Sequence, residues 1–79
     1  MQIHVRLFAT LRNYVPASKG GATLTVTLPP NATLLDLIQH LGLPAEEVKL
    51  CYVNGRYQEA DYALNEGDEV GIFPPIGGG

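Results

Sequence analysis

The chain has 79 residues, of which 46% are hydrophobic and 16% are charged, and its formal net charge is −3. This length is enough for one compact domain, and the apolar content is too high for a disordered chain. The few basic residues are scattered, which excludes a nucleic-acid binder because such a protein carries a clustered basic stripe; they are Arg6, Arg12, Lys19, Lys49 and Arg56.

The N-terminal part of the chain predicts a two-stranded hairpin. Residues 3–9 alternate apolar and polar side chains with the period of two of a half-buried strand, which assigns Phe8 to the face opposite the apolar residues. Residues 22–28 repeat the pattern, with threonines suited to an exposed face. Between them, residues 10–19 have no clean period, and Gly20-Gly21 is typical of a turn.

A helix is predicted to begin after Pro29-Pro30-Asn31. Thr33 offers an N-cap hydroxyl, and Asp36 stands three positions later, as in a capping box. One apolar stripe follows at helical spacing, made of Leu34, Leu37, Ile38 and Leu41. Gly42 and Pro44 predict the end of the helix. We expect the apolar stripe of this helix to cover the buried face of the hairpin.

The remaining elements are strands. Residues 50–53 form an apolar run that ends at the turn dipeptide Asn54-Gly55, and residues 69–73 read as the last strand. Residues 56–63 are irregular, with at most a short edge strand. The order of elements predicts an α+β domain with one helix packed on one face of a sheet, but periodicity does not give the order of strands in that sheet.

The chain closes with Pro74-Pro75-Ile76 and three glycines, and we divide it into a domain of residues 1–76 and a flexible tail of residues 77–79. The two prolines are stiff and project the tail away from the domain, while glycine can thread a narrow channel. On composition alone, the same glycines are equally consistent with a cloning remnant or with simple fraying.

The segment Phe73-Pro74-Pro75-Ile76-Gly77-Gly78-Gly79 resembles the terminus of the MoaD/ThiS family, which are ubiquitin-like sulfur carriers with a β-grasp fold. Three further stretches match the same family, so that the resemblance spans nearly the whole chain. They are Leu7-Phe8-Ala9-Thr10-Leu11-Arg12, Val53-Asn54-Gly55 and Gly67-Asp68-Glu69-Val70. The first of these is more similar to the small subunit of molybdopterin synthase than to the thiamin carrier.

The resemblance implies a mixed sheet of four to five strands with one main helix on one face, in which the first and last strands are neighbours. It also implies that an adenylating, ubiquitin-activating-like enzyme uses ATP to activate the Gly79 carboxylate, next to Gly78. A sulfur donor then converts it to a thiocarboxylate, and the tail delivers the sulfur to the large subunit of molybdopterin synthase or an equivalent acceptor. The chain itself would be a non-catalytic carrier, the small subunit of that complex, without a bound cofactor.

If the first and last strands are neighbours, Phe8 and Phe73 lie on the same face and form an apolar patch beside the root of the tail. The predicted partner-binding residues are therefore Phe8, Phe73, Pro74, Pro75, Ile76 and Gly77. The alternative is that residues 10–19 fold over both rings.

Other reactive residues are assigned structural roles. Cys51, in an apolar strand, is expected to be a buried and inert thiol. His4 and His40 have no partners at metal-ligand spacing, so no metal site is predicted. The four tyrosines are expected to pack in the fold. The acidic residues concentrate between Glu46 and Glu69, which favours either an acidic surface for a basic partner protein or a merely solubilising role.

Four functions remain open at this stage. The first is a sulfur carrier for molybdopterin or its tungsten counterpart, and the second is the corresponding carrier for the thiazole of thiamin. The third is a ubiquitin-like modifier that is conjugated through Gly79 to a lysine of another protein, and the fourth is a plain β-grasp interaction module. With neither a charged leader followed by a long apolar run nor a membrane-length segment, a cytoplasmic location is expected.

Overall fold

The computed structural model describes residues 1–75, which form one five-stranded sheet and one α-helix. The strands are β1 (Gln2–Leu7), β2 (Leu24–Thr27), β3 (Leu50–Val53), β4 (Arg56–Gln58) and β5 (Glu69–Phe73), and the helix is α1 (Leu34–His40). Short 3-10 helices occupy Ala9–Tyr14, Pro16–Gly21 and Ala45–Glu47. The α+β class and the short edge strand that the sequence predicted are both present.

The sheet is mixed, with the strand order β2-β1-β5-β3-β4. The strand β1 pairs antiparallel with β2 and parallel with β5, while β3 pairs antiparallel with β5 and β4. The first and last strands are therefore neighbours, as the family resemblance implied. In this register, Leu7 pairs with Ile72, which brings the C-terminal ends of both strands to the same edge of the sheet.

One face of the sheet is buried against α1 and forms a single core. The helix contributes Leu34, Leu37 and Ile38, which cluster with alternating strand residues. Those strand residues are Ile3, Val5, Leu7, Val26, Cys51, Val53, Val70 and Ile72. The period-two pattern in the sequence therefore identified the buried face of β1, β2 and β5, whereas the apolar run of β3 did not distinguish its two faces.

The helix begins where the capping residues predicted. The hydroxyl Oγ1 of Thr33 accepts from the backbone N–H of Asp36 at 3.2 Å, and Oδ2 of Asp36 accepts from the backbone N–H of Thr33 at 2.8 Å. The chain leaves the helix through Gly42, whose φ of 73° lies in the left-handed region that glycine tolerates best. A helix this short depends on such end contacts and on its packing.

The connection between β1 and β2 differs from the prediction. The alternation assigned Ala9 to the buried side of the first strand, but β1 stops at Leu7, and Ala9 is exposed with a φ of 52°. The second strand also begins later than Ala22, which is exposed. Two 3-10 helices form the connection and bury Leu11 and Ser18. Such a connection packs on the core through single side chains, so its sequence shows no regular alternation of apolar and polar residues.

Candidate functional site

The candidate site is the face of the sheet turned away from α1, called the open face below. Alternation along the strands sends every second side chain to this face. It carries His4, Arg6, Phe8, Thr23, Thr25, Tyr52, Tyr57, Glu69, Gly71 and Phe73.

Phe8 and Phe73 stack on each other on the open face. Their ring centroids are 4.1 Å apart and their planes differ by 6°. The backbone N–H of Phe8 donates to the carbonyl of Ile72 at 3.1 Å, so the parallel pairing of β1 with β5 continues one residue past the end of β1 and sets the rings side by side. The prediction that the two rings lie together on this face is therefore correct. Both side chains are half-buried, so they are less exposed than predicted.

The segment after β1 covers only part of this pair. Leu11 turns into the core, while Arg12 lies with its guanidinium carbon 6.0 Å from the centre of the Phe8 ring, within the range of a cation–π contact. The Nε of Arg12 donates to the carbonyl of Leu7 at 3.0 Å, which fixes the side chain in that position. Residues 10–19 therefore contribute one cationic side chain beside Phe8 and leave the stacked pair half-exposed.

Two tyrosines extend the aromatic surface across the sheet. The Tyr52 ring meets Phe73 edge to face at a centroid distance of 5.7 Å, and Tyr57 meets Tyr52 in the same way at 6.3 Å. Their exposed fractions are 37% for Tyr52 and 53% for Tyr57, and Tyr14 is also exposed. Tyr52 and Tyr57 therefore pack in the fold as expected, but against aromatic neighbours on the open face, with their phenol groups accessible to water. We call Phe8, Phe73, Tyr52 and Tyr57 the aromatic row.

A groove of about 740 Å³ runs along the open face beside the aromatic row. Its floor includes Gly71, in the middle of β5, and we call it the Gly71 groove. A Cβ atom at this position would lie 3.4 Å from ring carbons of both Phe8 and Phe73. The signal for this groove in the sequence is a glycine inside an apolar strand, which often marks a place where another group approaches the backbone closely.

The end of β5 is the root of the C-terminal segment. The carbonyl of Phe73 accepts from the backbone N–H of Lys49 at 2.8 Å, so pairing with β3 persists to the last residue of the strand. Pro74 is half-buried and Pro75 is exposed. The other predicted site residues, Ile76, Gly77, Gly78 and Gly79, lie outside the described residues.

The remaining candidate residues have local roles. Cys51 is buried, and burial raises the pKa of its thiol, which makes it a poor nucleophile. The Nδ1 of His4 lies 3.4 Å from the hydroxyl of Thr25 on the open face. Within residues 1–75, no three His, Cys, Asp or Glu side chains are grouped as metal ligands. No helix in that same range has the length and apolar character that crossing a bilayer requires.

Comparison with protein families matches residues 1–77 to the model of the Mut7-C ubiquitin family. A search of curated protein sequences finds no significant match.

Solved structures with similar folds include three informative cases. A Pyrococcus furiosus protein described as a candidate molybdopterin converting factor subunit 1 is 30% identical, with a TM-score of 0.76, over 96% of this chain and 99% of its own. Small archaeal modifier protein 1 of Haloferax volcanii is 23% identical, with a TM-score of 0.73, over 95% and 98%. A chain from the complex of subunits 1 and 2 of Helicobacter pylori molybdopterin-converting factor is 19% identical, with a TM-score of 0.63, over the whole of both chains. The fold is therefore the ubiquitin-like β-grasp.

Proposed function

The chain belongs to the Mut7-C ubiquitin family and is a ubiquitin-like protein of the MoaD type, and we propose that it is a sulfur carrier for molybdopterin or tungsten-pterin biosynthesis. This role requires a free carboxylate on Gly79, which is converted to a thiocarboxylate. The P. furiosus relative, matched along nearly its whole length, supports the pathway.

The observation that carries the proposal is the position of the aromatic row at the root of the C-terminal segment. Phe73 is both the last residue of β5 and a member of the stacked pair with Phe8. A partner protein that binds the aromatic row therefore holds the chain next to Pro74 and Pro75, where the terminal segment departs. Gly79 is four residues beyond Pro75 in the sequence, and a segment of this length, at about 3.3 to 3.6 Å per residue when extended, is long enough to enter a neighbouring active site.

The chemistry needs an activating partner. A terminal carboxylate is ionised at neutral pH and resists nucleophiles, because its oxygen is a poor leaving group. An adenylating enzyme of the ubiquitin-activating type would let the carboxylate oxygen attack the α-phosphorus of ATP, which releases pyrophosphate and forms an acyl adenylate. Attack of sulfide on the acyl carbon then expels AMP and leaves the thiocarboxylate. The carrier positions the terminal carboxylate or thiocarboxylate, and the two partners catalyse the reactions.

The acceptor partner in this proposal is a subunit 2 of molybdopterin converting factor. The H. pylori neighbour was solved as a complex of subunits 1 and 2, which is the arrangement that we propose for this chain. The half-exposed stacked pair and the exposed tyrosines support this assignment, since aromatic side chains are enriched at the centre of protein interfaces.

A second function is favoured by the similarity to small archaeal modifier protein 1. In that case, the same acyl adenylate would be attacked by a lysine amine of a target protein, which gives an isopeptide bond through Gly79. The two functions share activation and differ only in the final nucleophile.

The test is intact-mass analysis of the purified protein before and after incubation with the adenylating enzyme, ATP and sulfide. The starting mass must correspond to a free carboxylate on Gly79, and the product must gain the mass of one oxygen-to-sulfur exchange. A variant that lacks Gly77, Gly78 and Gly79 should show no exchange, while Lys19→Ala, on the 3-10 connection, should react normally. Adducts with lysines of other proteins would favour the modifier function, and full activity of the shortened chain would refute both.

The protein that carries the thiocarboxylate can then be used to distinguish the molybdopterin pathway from the thiamin pathway. We expect it to support molybdopterin formation with subunit 2 and not to support thiazole formation by a thiazole synthase. The opposite result would move the chain to thiamin biosynthesis.

A further inference from the structure

Gly71 occupies a position where glycine is not required by the backbone. It lies inside β5, between Arg6 on β1 and Tyr52 on β3, and no positive φ is found there. Glycine inside a strand is unfavourable because it loses more conformational freedom on folding and contributes no side-chain packing. The lack of a side chain at this position opens the Gly71 groove between the aromatic row and Arg6.

The charges around the groove differ from those of the whole chain. The chain is acidic overall, with eight Asp and Glu residues, yet only Glu69 among them lines the groove. Glu69 lies at the far end, opposite His4, whereas Arg6 pairs directly with Gly71. Arg12 adds a second guanidinium on the other side of Phe8. The end of the groove beside Phe8 therefore has the guanidinium groups of Arg6 and Arg12 next to aromatic rings, while Glu69 and His4 lie at the other end.

This distribution changes the expected chemistry of the partner. The acidic stretch between Glu46 and Glu69 favoured a basic partner, but of its side chains only Glu69 lines the groove. Arg6 is exposed, and its guanidinium donates to the hydroxyl of Thr23 at 3.5 Å, a long hydrogen bond that a carboxylate would readily replace.

We propose that the Gly71 groove binds an acidic surface of subunit 2, which inserts one apolar side chain over Gly71 and sets a carboxylate against Arg6. This inference rests on the proposed function, because it names the surface chemistry of the acceptor partner. The apolar side chain would contact Phe8, Phe73 and Tyr52, which replaces water on three aromatic rings. The carboxylate would pair with Arg6 and steer the encounter electrostatically.

The experiment compares two charge reversals in the full chain, with the source organism's own subunit 2 as the probe. Arg6→Glu reverses the charge beside the groove, while Arg56→Glu makes the same change in net charge on the edge strand β4, away from the groove lining. We expect Arg6→Glu to weaken binding by at least about tenfold and to make it less sensitive to salt, and Arg56→Glu to change it by less than about twofold.

A second pair of variants tests the inserted side chain. Gly71→Val fills the floor of the groove with a residue that suits a strand, and Thr27→Val is its control on the exposed face of β2. Gly71→Val should weaken binding to subunit 2 by about tenfold while its circular dichroism spectrum stays native, although its methyl groups crowd the Phe8 and Phe73 rings and should lower the melting temperature. Thr27→Val should leave binding unchanged.

The outcomes separate this inference from the function on which it rests. If the wild-type chain does not bind subunit 2, the proposed acceptor is wrong and the inference fails with it. If the wild type binds but Arg6→Glu behaves like Arg56→Glu, or Gly71→Val binds normally, only the groove assignment is refuted. Tighter binding of Arg6→Glu would mean that the partner surface is basic.

Discussion

The side-chain amide of Asn54 donates a hydrogen bond of 2.9 Å to the carboxylate of Asp68, which ties the turn after β3 to the residue before β5. The other Asp68 oxygen accepts from the backbone N–H of Asn65 at 2.8 Å, and Oδ1 of Asn54 accepts from the backbone N–H of Glu69 at 3.0 Å. Asp68 is only 6% exposed, so its carboxylate oxygens depend on these donors. The network holds β5 in position for the groove.

Replacement of Asp68 by Ala should therefore lower the free energy of unfolding by about 1–3 kcal/mol, because the side-chain amide of Asn54 and the backbone N–H of Asn65 lose their acceptor. Denaturant titration followed by circular dichroism measures this change. Asp61→Ala removes the same charge from an exposed position and should cost less than about 0.5 kcal/mol. Equal losses in the two variants would show that net charge, not the hydrogen-bond network, is responsible.

Substitution in the stacked pair of Phe8 and Phe73 should affect partner binding more strongly than protein stability. Phe8→Asp should lose about 1–2 kcal/mol of stability, because it removes a half-buried ring and its stacking on Phe73. It should weaken binding to subunit 2 by more than about tenfold, as measured by calorimetry. Tyr14→Asp, an exposed aromatic outside the aromatic row, is the control and should bind normally. A Phe8→Asp protein that fails to fold would instead identify this ring as part of the core.

The start of α1 offers a test of the capping box. Thr33→Ala removes the acceptor for the backbone N–H of Asp36 and should destabilise the protein by about 1 kcal/mol. The helix has seven residues, so one end contact matters more than in a long helix. Thermal unfolding of Thr33→Ala beside the exposed Thr10→Ala measures the difference. If both variants melt at the same temperature, the cap contributes nothing to stability.

Cys51 predicts a pH effect on stability. Burial raises the pKa of its thiol in the folded state, so the unfolded state loses this proton at lower pH than the folded state does. Below the pKa of the unfolded thiol both states are neutral and Cys51 contributes no pH dependence. As the pH rises above that value, the thiolate forms preferentially in the unfolded chain, and stability falls.

The measurement compares how stability changes with pH in the wild type and in Cys51→Ala across the alkaline range. The wild type should lose more stability than the variant, whose other titrating groups are the same. The native thiol should also react with a disulfide reagent far more slowly than the denatured chain does. Rapid reaction of the native protein would contradict the buried, inert assignment.

Much of the fold was readable from local patterns. The period of two assigned Ile3, Val5 and Leu7 to the core, and the same parity assigned Phe8 and Phe73 to the opposite face. The Thr33–Asp36 capping box located the start of α1, because the contact spans only one helical turn. In each case the physical cause lies within a few residues of the chain.

The site depended on relationships that the sequence pattern does not contain. That β1 and β5 are neighbours came from the family resemblance, and their parallel direction came from the structure, since periodicity reports the face on which a side chain lies and not which strand lies beside it. The exposure of Tyr52 and Tyr57 and the packing of residues 9–21 were missed for the same reason.

Sequence alone therefore determined which side chains turn toward the core and which turn away, because alternation and capping are local consequences of backbone geometry. Only the tertiary structure decided that Arg6, Gly71 and Tyr52 lie side by side on three strands, and that the aromatic row borders the groove between them. The physical reason is that strand order and register are decided by pairing and burial across the whole sheet.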